Sequence, residues 1–139
     1  MGKIIMVTGG ARSGKSSFAE KKAAEFGKEV LYIATSIAFD DEMKERVRKH
    51  RTQRPENWKT LECYKDFEKY LPQELEGVEA VIFDCLTLMV TNIMMEKSMD
   101  WEGMSTDEIN NVEAEVRRQV SNLLEQAKKA SQPFIFVTN

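Results

Sequence analysis

The sequence predicts a three-layer α/β protein built on a mostly parallel sheet. Three observations carry this. Four short apolar runs rich in Val, Ile, Phe and Tyr recur along the chain, polar helix-favouring segments separate them, and no hairpin turn joins one run to the next. Runs that are apolar at successive positions, rather than at alternate ones, suit strands covered on both faces.

The elements follow in order. "KIIMVTG" (3–9) is the first strand. A glycine-rich turn follows it, and Ser16 to Phe26 reads as a helix whose amino end is expected near Ser13. "EVLYIAT" (29–35) is the second strand. Asp40 to about Arg51 reads as the next helix, with Asp40 and Asp41 at its start and Arg48, Lys49 and Arg51 at its end, the order that the helix dipole prefers. "RPENW" is then a long loop, and Tyr64 to Leu75 a third helix. "AVIFDC" (80–85) is the third strand, followed by a helix over Thr87 to Lys97 and a second long loop at "MDWEGMS". Thr106 to Ala130 is the clearest helix, because Ile109, Val112, Val116, Val120, Leu123 and Leu124 recur at helical spacing. "PFIFVTN" is the last strand and ends at Asn139. No repeat, low-complexity tract or linker interrupts the chain, so residues 1–139 are expected to form a single domain.

Composition sets the bounds. A chain of 139 residues, 42% hydrophobic and 31% charged, is long enough for a real core and ordinary for a globular domain. Its 20 Lys and Arg against 23 Asp and Glu leave a net charge of −3, which argues against nucleic acid or a membrane surface as partner. Cys63 and Cys85 form no CxxC pair and read as two buried free thiols of a reducing cytosol. No apolar run is long enough to span a membrane, and Lys3 and the glycine turn break up any signal-peptide pattern. The expected setting is cytoplasmic.

The chemistry begins at "TGGARSGKSS". Gly9, four residues, then Gly14-Lys15-Ser16, set between a strand and a helix, is the pattern of a phosphate-binding loop. Gly9, Gly10, Ala11, Arg12, Ser13 and Gly14 can turn their N–H groups inward as an anion nest. The helix that follows aims its positive end at the same place. Lys15 can reach the β- and γ-phosphates, and the Ser16 hydroxyl can ligate Mg²⁺. The fold class narrows to the P-loop NTPase type, and the expected ligand is a nucleoside triphosphate. Asp84, after four apolar residues, falls where a buried strand emerges, the position of a metal-holding carboxylate. A helix-capping Asp would give the same local pattern. The phosphate loop upstream favours the metal role.

His50 is the only histidine. Met43, Val47 and His50 fall at i, i+4 and i+7, which places it on the inward face of a basic helix. Cations around it would keep the imidazole neutral and nucleophilic while attracting phosphate. On the residues alone, a surface histidine is the commoner outcome.

Four blocks together change that reading. "TGGARSGKS", "YIATS", "DDEMKERVRKHRTQRPENWKTLE" and "FDCLTLMVTN" resemble the adenosylcobinamide kinase / adenosylcobinamide-phosphate guanylyltransferase family of cobalamin biosynthesis, over residues 3–139. The phosphate loop alone would not single out this family; the "HRTQRPENWKTLE" block does. The resemblance implies two reactions. The first phosphorylates the aminopropanol hydroxyl of adenosylcobinamide with ATP or GTP. The second moves GMP from GTP onto a histidine, and from there to adenosylcobinamide phosphate.

Matched residue by residue, the GMP-accepting histidine is His50, and Gly9 to Ser16 hold the nucleotide phosphates. Ala34, Thr35 and Ser36 lie beside the nucleotide, Arg51, Thr52, Gln53 and Arg54 follow the nucleophile, and Glu62 and Asp84 also contact the nucleotide. Mg²⁺, held by Ser16 with Asp84 nearby, and a homotrimeric assembly belong to the same implication.

This sequence departs from the family at Met89, where many members carry a tryptophan. The family's chain also runs on past the strand matching "FIFVTN", so these residues are expected to be the N-terminal part of a longer chain. Two other enzyme and switch classes share the loop. A GTPase switch would want Asp-x-x-Gly after the third strand, but Asp84 is followed by Cys85, Leu86 and Thr87. A nucleoside monophosphate kinase would need an arginine-bearing lid and no histidine nucleophile.

Overall fold

The computed structural model describes residues 2–10, 13–36, 44–45, 48–49, 54–97 and 100–139. Among these residues, five strands, β1 (Ile4–Thr8), β2 (Val30–Ala34), β3 (Lys59–Glu62), β4 (Ala80–Asp84) and β5 (Phe134–Thr138), form one sheet in the order β1-β5-β4-β2-β3. Every pairing is parallel. The helices between them are α1 (Lys15–Phe26), α2 (Phe67–Glu74), α3 (Leu86–Lys97) and α4 (Thr106–Lys129). This is the α/β architecture of P-loop proteins, with all strand carboxyl ends on one edge.

The four predicted strands and four of the five predicted helices fall where expected, within a few residues. The differences have local causes. Helix α1 opens at Lys15 rather than near Ser13, because Gly14 sits outside the helix in a left-handed conformation (φ +85°). Helix α2 opens at Phe67 rather than Tyr64, because Asp66 before it is also left-handed (φ 58°). Strand β3 was not expected. Its residues, "KTLE", carry one large apolar side chain; as an edge strand paired only with β2, it needs no continuous apolar run. Of the helix expected over Asp40 to Arg51, the four described residues are helical, and Glu45 pairs with Arg48 at 2.6 Å. Both cysteines are unbridged thiols, Cys85 buried as expected and Cys63 only half-buried. Among the described residues, no helix is long and apolar enough to cross a membrane.

Strand alternation divides the core in two. On one face, Leu31, Ile33, Val81, Phe83, Phe134 and Phe136 pack beneath α2, α3 and α4. The Phe83 ring lies 5.3 Å from Phe67 and 5.4 Å from Phe136, centre to centre, a tilted aromatic stack through the middle of the molecule. On the other face, Tyr32, Ala34, Ile82, Ile135 and Val137 pack against Ala19 and Ala23 of α1. Small residues there let the helix axis lie close to the sheet, which brings the amino end of α1 over the strand ends.

Candidate nucleotide site

The turn between β1 and α1 has the geometry its glycines allow. Gly14 holds its left-handed φ at little steric cost, whereas an L side chain there would be strained. A Cβ on Gly9 would stand 2.5 Å from Ser13 Oγ, so a side chain there would have to turn the serine hydroxyl aside. Ser13 N–H donates to the Gly10 carbonyl at 3.3 Å, and Lys15 Nζ donates to the same carbonyl at 3.1 Å.

Helices α4 and α1 differ at their amino ends. Helix α4 is capped by Ser105, whose hydroxyl accepts from the Glu108 N–H at 3.1 Å, with Asp107 and Glu108 in its first turn. Helix α1 has no side-chain cap and no acid in its first turn. Its first-turn amides and dipole therefore face the glycine turn without a built-in anion. A cleft of about 440 Å³ opens there, lined by Val7, Thr8, Ser13, Gly14, Lys15 and Phe18.

Asp84 ends β4 on the α1 side of the sheet, since Ile82 two residues earlier belongs to that face and Phe83 to the other. Strand β5 alone separates β4 from β1, so Asp84 and the phosphate loop are two strand spacings apart, about 10 Å. The Tyr32 hydroxyl donates a short hydrogen bond to Asp84 Oδ2. Burial, and then the charge of Asp84, push the Tyr32 phenol well above its usual range, so it remains a donor. Arg54 stacks on the Tyr32 ring, its guanidinium carbon 3.4 Å from the ring centre. Its Nη1 reaches Thr60 Oγ1 at 3.4 Å, while its Nε is buried with no hydrogen-bond partner among the described residues.

The junction behind Asp84 is closed by hydrogen bonds. Thr35 Oγ1 donates to the Cys85 carbonyl at 2.8 Å and accepts from the Cys85 N–H at 2.9 Å. Thr35 N–H donates to the Asp84 carbonyl at 3.1 Å, and Asn92 Nδ2 of α3 donates to the Thr35 carbonyl at 2.5 Å. All the side chains in this clasp are buried, so each bond also satisfies a group that water cannot reach. Burial pushes the Cys85 thiol up, against a smaller opposing pull from the Leu88 N–H and from Lys15.

A second cleft, about 560 Å³, opens beyond β2 and β3. Ala34, Thr35, Ser36 and Glu62 line it from the strand ends, with Tyr64 and Tyr70 opposite. Ala34 pairs with Glu62 on one side and Asp84 on the other, so this cleft and Asp84 share one wall.

The residues singled out from sequence thus form three groups along one edge. Gly9, Gly10, Ser13, Gly14, Lys15 and Ser16 belong to the glycine turn and the start of α1; Asp84 is in the middle; Ala34, Thr35, Ser36 and Glu62 surround the second cleft. Arg54 meets Tyr32 beside Asp84. Ala11, Arg12, His50, Arg51, Thr52 and Gln53 lie outside the described residues. Sequence reasoning missed Tyr32 and Asn92. Each had a signal: Tyr32 is a polar-tipped residue two positions before Ala34, on the face Asp84 shares, and Asn92 is an amide inside the apolar run of α3.

The site's donors suit a nucleotide-bound Mg²⁺. No group of three or more His, Cys, Asp or Glu residues gathers among the described residues, so no all-protein cage is present there. Mg²⁺ with a nucleotide needs none, because phosphates and water supply most of its ligands. One hydroxyl, from Ser16, and one half-buried carboxylate, from Asp84, fit that donor set.

Residues 5–139 match the family model described as cobinamide kinase / cobinamide phosphate guanyltransferase. The chain is 35% identical over 136 residues to a bifunctional adenosylcobalamin biosynthesis protein of Escherichia coli, covering 98% of this chain and 74% of that one. It is 44% identical over 91 residues to the protein of the same name from Salmonella typhimurium, and 47% identical over 90 residues to a bifunctional adenosylcobalamin biosynthesis protein of Pseudomonas aeruginosa. Those two matches span 50% and 52% of the relatives' own lengths.

Proposed function

This chain belongs to the cobinamide kinase / cobinamide phosphate guanyltransferase family, and on that premise we propose that it carries out both transfers through a guanylyl-histidine intermediate. In the first, the aminopropanol hydroxyl of adenosylcobinamide attacks the γ-phosphorus of ATP or GTP, a phosphate ester forms, the β–γ bond breaks so that ADP or GDP leaves, and the hydroxyl proton is released to solvent. In the second, a nitrogen of His50 attacks the α-phosphorus of GTP, a P–N bond forms, and pyrophosphate leaves. A phosphate oxygen of adenosylcobinamide phosphate then attacks the same phosphorus, breaks the P–N bond and gives adenosylcobinamide-GDP.

The observation that carries this reading is the uncapped start of α1, facing its glycine turn two strands from Asp84 on the same face of the sheet. Backbone amides there cradle the phosphates, and Lys15 offsets charge on the β- and γ-phosphates. Ser16 and Asp84 would hold Mg²⁺, which supplies charge neutralisation between the phosphates. Ala34, Thr35, Ser36 and Glu62 would place the nucleoside in the second cleft. Arg51 and Arg54 would offset charge developing at the α-phosphorus; Arg54 follows His50 by four residues, a chain length of at most about 14 Å. Homotrimeric assembly and cytoplasmic location belong to the same reading.

Intact-protein mass spectrometry after incubation with Mg²⁺ and GTP tests it. The expected product is one covalent GMP, lost in acid, kept in alkali and absent from His50→Ala. His50→Ala should still phosphorylate adenosylcobinamide. Equal loss of both activities would overturn this division of labour. An adduct-free wild-type chain that still turns over nucleotide would instead fit a nucleoside monophosphate kinase.

A further inference from the structure

Asp84 is a short side chain at a strand end, half-open to solvent, and a carboxylate in that position can rotate. One of its oxygens is not left to do so. The Tyr32 hydroxyl, from the neighbouring strand and two residues upstream of Asp84's register partner Ala34, donates to Oδ2. The tyrosine itself cannot move aside: it is 4% exposed, packed in the cluster beneath α1. Its outer ring face carries the Arg54 guanidinium at 3.4 Å. Burying an arginine Nε without a partner costs free energy, so the stack that holds it there must compensate.

We infer that Tyr32 is a positioning residue: its hydroxyl fixes Asp84 through Oδ2 and leaves Oδ1 as the oxygen not engaged by it, and its ring holds the Arg54 guanidinium beside that carboxylate. This inference rests on the nucleotide reading given above. It adds that the carboxylate serving the metal and the arginine that would offset charge at the α-phosphorus are set by one side chain. Two substitutions separate the two halves. Tyr32→Phe keeps the ring beneath Arg54 and removes only the hydroxyl; Tyr32→Leu removes both.

The test compares GTP binding to the full chain by calorimetry in Mg²⁺ and in EDTA, for wild type, Asp84→Asn, Tyr32→Phe and Tyr32→Leu. The readout is the ratio of the two affinities, which isolates the metal from the rest of the nucleotide. Loss of a hydrogen bond behind a metal ligand typically weakens metal binding by roughly 10-fold or more, so Tyr32→Phe should lower the ratio by about that factor, with EDTA affinity near wild type. Tyr32→Phe should still form the GMP adduct once Mg²⁺ is saturating, whereas Tyr32→Leu should form it slowly even then.

Four results would count against this. A Tyr32→Phe ratio equal to wild type, with Asp84→Asn reduced, overturns the positioning role and leaves the nucleotide site intact. Equal weakening in Mg²⁺ and EDTA marks Tyr32 as merely structural and overturns the inference. Adduct formation by Tyr32→Leu at the Tyr32→Phe rate removes the anchoring half. A wild-type chain that binds GTP equally with and without metal overturns the proposed function itself, and this inference with it.

Discussion

The two faces of this sheet are built differently. Under α2, α3 and α4 lie Phe67, Phe83, Phe134, Phe136, Leu71 and Leu123, all fully buried, with no titratable group among them. Under α1 lie alanines at 19, 23, 34 and 80, a few aliphatic residues, and Tyr32 bonded to Asp84. The first face buries more apolar area per residue and so contributes more to stability. The second gives up bulk for closeness: with small side chains between helix and sheet, the amino end of α1 and the end of β4 come within reach of one triphosphate. The bulk of the aromatic core and the Tyr32–Asp84 contact thus lie on opposite sides of the same five strands, and substitutions at those two places should have opposite signatures.

The sharpest way to break that separation is at Phe83 and Asp84, adjacent residues on opposite faces. Phe83→Ala should cost about 3–5 kcal/mol of folding free energy, because it empties the centre of a stack touching Phe67 and Phe136. Urea unfolding measures the loss. Calorimetry on the folded fraction should show GTP affinity close to wild type, and a large fall in affinity would mean that the aromatic face also shapes the site.

Lys15→Ala is the converse. With the ammonium gone, the charge on the transferring phosphates loses its nearest side-chain partner, and both transfers should slow by roughly 10²- to 10³-fold. The bond from Lys15 Nζ to Gly10 is solvent-exposed, so the urea midpoint should move by the equivalent of less than about 1 kcal/mol. A large loss of stability would show that the loop is held together by its lysine rather than by its glycines.

The same contrast explains what could be read from sequence. The phosphate loop was legible because its residues are contiguous and a glycine answers a local backbone demand, as at Gly14. The buried strands were legible because a strand covered on both faces must be apolar throughout. Strand β3 was not, since an edge strand with Lys59 and Glu62 exposed carries no such signature. The contact of Tyr32 with Asp84 and Arg54 was hidden for another reason. Its three members come from separate parts of the chain, and only the β2–β4 register, Ala34 opposite Asp84, brings the hydroxyl to the carboxylate. The late start of α2 was hidden likewise, because Asp66 is held in its left-handed turn by Gln119 of α4, whose side chain accepts from the Asp66 N–H at 2.8 Å and donates to Oδ1 at 2.9 Å.

The smallest effect should come from the outer surface of α4, which belongs to neither face. Arg118 holds Glu115 with two hydrogen bonds, at 2.9 and 3.0 Å, and Gln119 adds a third at 3.1 Å. The Arg118 bonds first, and then that of Gln119, lower the Glu115 carboxyl to about 2. In the unfolded chain it returns to the ordinary glutamate value near 4.3. A folded value below the unfolded one means that the carboxylate's stabilisation is present in full above that pH and is lost as pH falls toward 2. Glu115→Gln should therefore flatten the fall in melting temperature between pH 4.5 and 2, by a modest amount because the pair is partly solvated and screened. Melting curves at several acid pH values, repeated at high salt, measure it. At neutral pH the variant should bind GTP as wild type does; a change there would mean that the Gln119–Asp66 link carries strain from α4 to the second cleft, where Asp66 also forms part of the wall.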